Sequence, residues 1–476
     1  MLRRLSLILI LFVLPFALAA KQIVIFHTSD THGFFYPELE RASGRMRGGF
    51  AAAQNVVRSE PLPHILFDSG DYSNGTAEVK DTKGAAAVKI MNAMGYAAAA
   101  AGNHEFDFGE DAFLQNLKLF QFPVLTANAS LPGVKPYDFF TAGGVKIAVI
   151  GIGKEDGGKI IKFKKPQTVI KPLLEEIKKQ NPGVIVLLIH DSYDGENADI
   201  AKKFPDINII LGGHAHKELQ NIFVGKTLLV ESGSNLKTMS KVTVDADDGG
   251  KYKSASSRLI PLYIDTAGED KDIKQLSESL RAPGLDEPLG KTAEYISKNP
   301  VTDGCLDSPL NNWIADVMLA NAKADFSVQN AGGARTSLEQ GPVTQRDMIN
   351  MFPFDNKTAV VTADGIFVKR LVRNGIKNGK SFYAYGSLTA KFKTKNNKIK
   401  NLEIFIAGKP VENRKTYTFA ANEYIVNGNS EGWMFKRLPL ENKKFNGVSI
   451  REILIKNLQQ NSPLKPTAVC RLQETK

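Results

Sequence analysis

The chain has 476 residues, of which 43% are hydrophobic and 23% charged, and its formal net charge is +11. That length supports two or three domains, each with a core of its own. The basic residues are spread along the chain without a dense block interleaved with aromatics, which argues against a nucleic-acid polymer as partner and favours small anions.

Residues 1–20 have the layout of a signal peptide: Arg3 and Arg4, the apolar run Leu5 to Phe16, then Ala17-Leu18-Ala19-Ala20. The pattern predicts an exported protein, periplasmic or secreted. An uncleaved anchor is the alternative, although the apolar run is short for a span of about 20 residues. No cysteine at the cleavage site invites a lipid, and no later stretch is apolar enough to cross a bilayer, so no stable membrane anchor is expected.

A strand over residues 22–27 runs into Asp30 and His32, which share one face of an extended segment. An amphipathic helix over Phe50 to Arg58 crosses to a second strand, His64 to Phe67, which delivers Asp71. After a helical stretch from Lys83 to Met94, a third strand empties into Gly102-Asn103-His104-Glu105-Phe106-Asp107. Asn103 offers an amide oxygen to a metal, His104 an imidazole, and Asp107 a carboxylate able to orient it. Val145 to Ile150 ends in Gly151-Ile152-Gly153, which lacks the third glycine of a dinucleotide fingerprint. The apolar runs Val184 to Ile189 and Ile207 to Leu211 deliver His190 and the pair His214 and His216.

Taken singly, each of these histidines is more often structural than a ligand. Jointly they read differently. Of seven histidines, five follow strand-like runs, with Asp30, Asp71 and Asn103 in equivalent places. Mixed Asp/Asn/His donors suit Mn, Fe or Zn better than Ca or Mg, and the lack of cysteine donors argues against a structural zinc site. Eight groups are about right for two divalent ions sharing a carboxylate, an arrangement that activates water against phosphoesters.

From Asp265 to Glu287 the chain turns charged and carries breakers, as an interdomain linker does. The expected division is a signal peptide over 1–20, a metal-binding domain over 21–264, a linker over 265–288 and a second domain over 289–476. In the last, a helix over Pro309 to Asn321 precedes a strand and Asn330-Ala331-Gly332-Gly333-Ala334-Arg335. Such a turn brings backbone close to a ligand, and Arg335 offers a fork for an anion; a tight turn with a surface arginine is the equal alternative. Phe354 and Tyr424, both in loop sequences, suit stacking on a base, as each also suits a core. Cys305 and Cys470 leave a disulfide open.

The blocks Asp30-x-His32, Gly70-Asp71, Gly102-Asn103-His104-Glu105, His190 and Gly213-His214-x-His216 together resemble the calcineurin-like metallophosphoesterases. The resemblance implies an α/β fold: a two-sheet α/β sandwich joined by a helical linker to an α+β nucleotide-binding domain. It implies one metal held by Asp30, His32, Asp71 and His216, and a second held by Asp71, Asn103, His190 and His214. His104, oriented by Asp107, then stabilises the transferring phosphoryl group or protonates the leaving alkoxide. Asp107 at the end of its block is similar to exported 5′-nucleotidases and UDP-sugar hydrolases, where cyclic 2′,3′-nucleotide phosphodiesterases commonly carry Asn.

The second half resembles the C-terminal domain of the same enzymes. Asn330 and Arg335 match its substrate-binding pair, and Phe354 and Tyr424 its aromatic clamp. Glu431 stands where an aspartate contacts the ribose, and Lys323 lies nearest to an absent second arginine. The expectation is two-metal hydrolysis of 5′-nucleotides, extending to UDP-sugars. The alternatives are a 2′,3′-cyclic nucleotide phosphodiesterase/3′-nucleotidase, a non-catalytic nucleotide-binding protein and, more distantly, a sulfur-oxidation hydrolase of related architecture. Oligomeric state stays open.

Overall fold

The computed structural model describes residues 21–154, 161–395, 398–466 and 469–475; the signal-peptide expectation over 1–20 lies outside them. The first half of the chain builds two six-stranded sheets. One runs in the order Tyr252–Pro261, Thr238–Ala246, Lys21–Thr28, His64–Asp68, Ala98–Ala100, Val124–Leu125. The other runs Glu218–Val224, Thr227–Ser232, Ile209–Gly212, Val184–Ile189, Val145–Ile152, Tyr137–Ala142.

The continuous apolar strands divide their side chains between two cores because successive residues face opposite ways. Val184, Val186 and Leu188 enter the layer between the sheets, where they meet Ile23, Ile25 and Phe67. Ile185, Leu187 and Ile189 point outward to the helix Pro166–Lys179. On the opposite outer face, Val24 and Phe26 pack under the helices Phe50–Arg58 and Ala85–Met94. The helix Lys271–Ser279 joins that layer through buried Ile273. The result is a helix–sheet–sheet–helix sandwich. Its central strands are parallel, so Lys21–Thr28, His64–Asp68 and Ala98–Ala100 all end at one edge.

The second half holds a five-stranded sheet in the order Tyr383–Gly386, Phe326–Asn330, Thr416–Asn422, Lys357–Asp364, Lys443–Ser449. A four-stranded sheet adjoins it, and the helices Pro309–Ala320, Gly365–Asn374 and Ile450–Gln460 cover the two. Cys305 and Cys470 are joined as a disulfide with their Cα atoms 5.6 Å apart, so the pairing left open by the sequence is made.

The two halves meet across a polar seam. Ala77 donates its N–H to Asn350 Oδ1 at 3.1 Å, and Lys80 Nζ lies 2.6 Å from Asp355 Oδ2. Arg346 pairs with Glu78, and its Nε also donates to Asp286 Oδ1 at 2.8 Å. Arg346 and Glu78 are both buried, and Arg346 keeps Asp286 as a second partner, so it is loss of the arginine that strands a charge, that of Glu78, away from water. Arg346→Ala is therefore expected to cost about 3 kcal/mol. A denaturant titration checks this, and an unchanged midpoint would count against a closed seam in solution.

Candidate active site

Every group singled out in the first half reaches the carboxyl edge of the parallel strands, the place where open α/β sheets keep their ligands. Asp30 and His32 follow Lys21–Thr28, Asp71 follows His64–Asp68, and Asn103 and His104 follow Ala98–Ala100. His190 leaves Val184–Ile189, and His214 and His216 leave Ile209–Gly212. Asp30, His32, Asp71, His214 and His216 all have positive φ, between 50° and 73°. Side chains rarely adopt that conformation, and it persists where surrounding structure enforces it at a working site.

The donors converge. One ligand atom each from Asp30, His32 and His216 lie within 4.8 Å of one another. The same holds for Asp71, His190 and His214, and for His32, Asp71 and His104. Asp71 Oδ2 is 3.0 Å from His190 Nε2, His216 Nε2 is 3.4 Å from Asp30 Oδ1, and His32 Nε2 is 3.1 Å from His216 Nε2. Asn103 Oδ1 is 3.1 Å from His214 Nδ1. Such separations suit neighbouring corners of a coordination shell with bonds near about 2.1 Å.

The tautomers suit it too. His32 Nδ1 donates to Asn74 O at 2.7 Å and His190 Nδ1 to Ser69 O at 2.8 Å. A carbonyl only accepts, so in the neutral rings each Nε2 lone pair faces the cluster. His190 Nε2 is buried and makes no hydrogen bond of good geometry, despite lying beside Asp71. A buried ring nitrogen set beside a carboxylate without a hydrogen bond between them is a fit for a shared cation, and the residues present fit divalent ions.

Charge within the cluster is finely opposed. Burial disfavours the charged form of His190, but Asp71 and Asp30 outweigh it and raise the ring to about 10. His104 behaves alike: burial lowers it, while Asp71 and Asp107 raise it to about 9. Burial pushes the Asp30 carboxyl up, yet His216 and His190 bring it down to about 2. The basic sites thus hold protons in the space between the carboxylates.

His104 and Asp107 form the expected pair, with Nδ1 2.6 Å from Asp107 Oδ2 and Nε2 3.9 Å from Asp71 Oδ2. Two supporting residues were not singled out in the sequence. Asn74 donates its amide N–H to Asp107 Oδ2 at 2.5 Å while its carbonyl accepts from His32. Glu105 is fully enclosed and accepts the backbone N–H groups of Asp71, Tyr72, Ser73 and Gly102 at 2.5–3.1 Å. It clasps the loop of Asp71 to that of His104. Burial and the charge of Asp71 raise Glu105 to about 7 against those bonds. The motif Gly102-Asn103-His104-Glu105 displayed this carboxylate, but three of its four backbone partners, Asp71 to Ser73, lie some thirty residues away and carry no sequence signal.

His27, which the sequence reading left out of the constellation, is buried between Ser69 Oγ at 2.9 Å and Ser232 Oγ at 2.7 Å. Burial lowers it to about 3, so it is a neutral strut between the sheets.

From the second half, Arg335 reaches the cluster: its Nη2 donates to His32 Nε2 at 2.9 Å, and its guanidinium lies 5.9 Å from the Phe354 ring. The Phe354 ring stands 5.9 Å from that of His104. Tyr424 is half-buried. Asn330 closes the strand Phe326–Asn330 and accepts from Asn422 Nδ2 at 3.0 Å. Glu431 instead pairs with Lys377 at 2.7 Å.

Residues 23–218 match the calcineurin-like phosphoesterase family, and residues 288–437 match the C-terminal domain of 5′-nucleotidases. The trifunctional nucleotide phosphoesterase protein YfkN of Bacillus subtilis is 28% identical over 75% of the chain, which spans only 28% of that protein's length. Protein UshA of Salmonella pullorum is 27% identical over 94% of the chain and 92% of its own length. The crystal structure of a 5′-nucleotidase precursor from Thermus thermophilus superposes with a TM-score of 0.85. It covers 95% of this chain and 99% of the other at 23% identity, and so shares the fold.

Proposed function

We propose, since this chain belongs to the family that joins a calcineurin-like phosphoesterase domain to a 5′-nucleotidase C-terminal domain, that it hydrolyses nucleoside 5′-phosphates with the help of two divalent transition-metal ions. The observation that carries this reading is the convergence of Asp30, His32, Asp71, Asn103, His190, His214 and His216 beside the His104–Asp107 pair. Asp30, His32, Asp71 and His216 would hold one ion, and Asp71, Asn103, His190 and His214 the other. Mn, Fe or Zn fits the donors. When bound, the ions supply a water activated near neutral pH and offset charge on the attacked phosphoryl oxygens.

The chain's own residues do the rest. Asp107 holds His104 Nδ1, which leaves Nε2 to face the phosphoryl group and pass a proton to the departing 5′-oxygen. Arg335, which reaches the cluster at His32, offers its fork to substrate oxygens. Phe354 and Tyr424 flank the base, and Asn330 meets its edge. Glu431, tied to Lys377, lies beside the sugar. Export to the periplasm or medium follows from the leader-like residues 1–20. No helix among the described residues is long and apolar enough to cross a membrane. The partner is a small-molecule nucleotide.

The test is phosphate release from AMP, UMP and UDP-glucose by purified protein supplied with Mn or Zn. Turnover of AMP and UMP is expected, with UDP-glucose as a further substrate. Release from none of the three rejects the reading. Turnover of 2′,3′-cyclic AMP above that of AMP moves it to a cyclic phosphodiesterase.

A further inference from the structure

Asn422 is buried at the end of the strand Thr416–Asn422 and takes no part in the chemistry above. Its side chain nevertheless touches both nucleoside-facing elements. Oδ1 accepts the backbone N–H of Tyr424 at 2.9 Å, capping the short helix Glu423–Val426 that carries this ring. Nδ2 donates to Asn330 Oδ1 and to Gln329 Oε1, each at 3.0 Å.

The polarity of this fork is not free. A backbone N–H can only donate, so the atom facing Tyr424 must be the amide oxygen, and the other branch must be NH₂. An NH₂ group can only donate, so Asn330 must turn its oxygen to Asn422. Gln329 is held in the same sense: with its oxygen taken by Asn422, its Nε2 donates to the backbone carbonyl of Asn330 at 3.0 Å. What remains of Asn330 is its own NH₂, beside Gly333. A Cβ at that glycine would come within 3.3 Å of Asn330 Nδ2 and 2.5 Å of Gln329 Nε2, so glycine keeps the space there. One backbone donor at Tyr424 thereby fixes the hydrogen-bond sign of a side chain on the neighbouring strand.

We propose that Asn422 is a positioning residue that makes Asn330 a donor to substrate and holds Tyr424 at the same time. The atom of the nucleoside meeting Asn330 is then an acceptor, a ring nitrogen or a carbonyl oxygen. This rests on the proposed reading that Asn330 and Tyr424 face the nucleoside. It adds a residue that never touches the ligand and a rule for the ligand's chemistry.

The experiment uses the full chain with Mn and two substrates, AMP and phenyl phosphate, which has no nucleoside. In Asn422→Ser, a serine keeps a capping oxygen for Tyr424 but is too short to reach Asn330 and Gln329. The expected result is a KM for AMP raised about tenfold, the size of one hydrogen bond, with kcat retained and phenyl phosphate kinetics unchanged. Asn330→Asp, which replaces that NH₂ by an acceptor, is expected to raise the AMP KM at least as much. An unchanged AMP KM in either variant overturns the inference. So does an equal loss on both substrates, which marks a merely structural role. If the unmutated protein turns over phenyl phosphate but not AMP, the nucleotide reading itself has failed, and the inference with it.

Discussion

Replacing His104 by alanine is expected to lower kcat for AMP by about 10²- to 10⁴-fold while cation content stays at the level of the unmutated protein. The two halves of this expectation come from separate contacts. The ring's Nδ1 is committed to Asp107 Oδ2 at 2.6 Å, and its Nε2 stands 3.9 Å from Asp71, outside ligand contact with that carboxylate. The backbone of His104, by contrast, donates to Asp71 Oδ1 at 2.8 Å, and alanine keeps that bond. The variant therefore loses a proton donor and leaves the shared carboxylate where it was. Elemental analysis alongside steady-state rates decides it. Equal activity in the variant would mean that the leaving oxygen needs no proton from this ring and would favour a binding protein over an enzyme. A loss of both activity and cations would place His104 among the ligands.

Asp107→Asn is the milder companion. An asparagine can still accept from Nδ1 but no longer supports charge on the ring. About tenfold loss in kcat is expected, with the limb of the pH–rate profile assigned to His104 displaced downward.

Much of this site was legible in the sequence because its chemistry is local. Each block stands directly after an apolar strand, and parallel strands bring their carboxyl ends together, so Asp30, Asp71, Asn103, His190 and His214 needed no knowledge of long-range contacts to be placed on one edge. His27 shows the limit of that logic. It lies on the strand that delivers the first block, yet two serines from distant segments hold it as a neutral core residue. Glu105, Asn74 and Asn422 were illegible for a related reason. They act through backbone groups and amides brought near only by folding, and such partners have no residue identity to read. The meeting of Arg335 with His32 was hidden as well, since it joins segments 303 positions apart.

Asp71→Asn is expected to cost the most. Second-sphere changes at metal sites already reach about 10–100-fold, and this carboxylate belongs to two of the convergent donor groups, so a larger loss in kcat/KM and a fall in bound cations from two toward one are expected. A thermodynamic signature accompanies the loss. In the cation-free protein the His190 ring is raised to about 10, against its burial, chiefly by Asp71. At neutral pH that ring therefore carries a proton, which a cation must expel before it can use Nε2. Affinity for Mn accordingly rises with pH through the neutral range, by up to about tenfold per unit for each proton released, and levels off as pH approaches the ring's raised value. Asparagine removes the main charge holding the proton, so His190 falls toward the ordinary range, fewer protons leave on binding, and the dependence on pH flattens. Calorimetric titration with Mn in two buffers of different ionisation enthalpy counts those protons directly. Proton release that is the same with and without the carboxylate would show that Asp71 does not face the cation through His190, and the shared-ligand arrangement would have to be redrawn around Asp30.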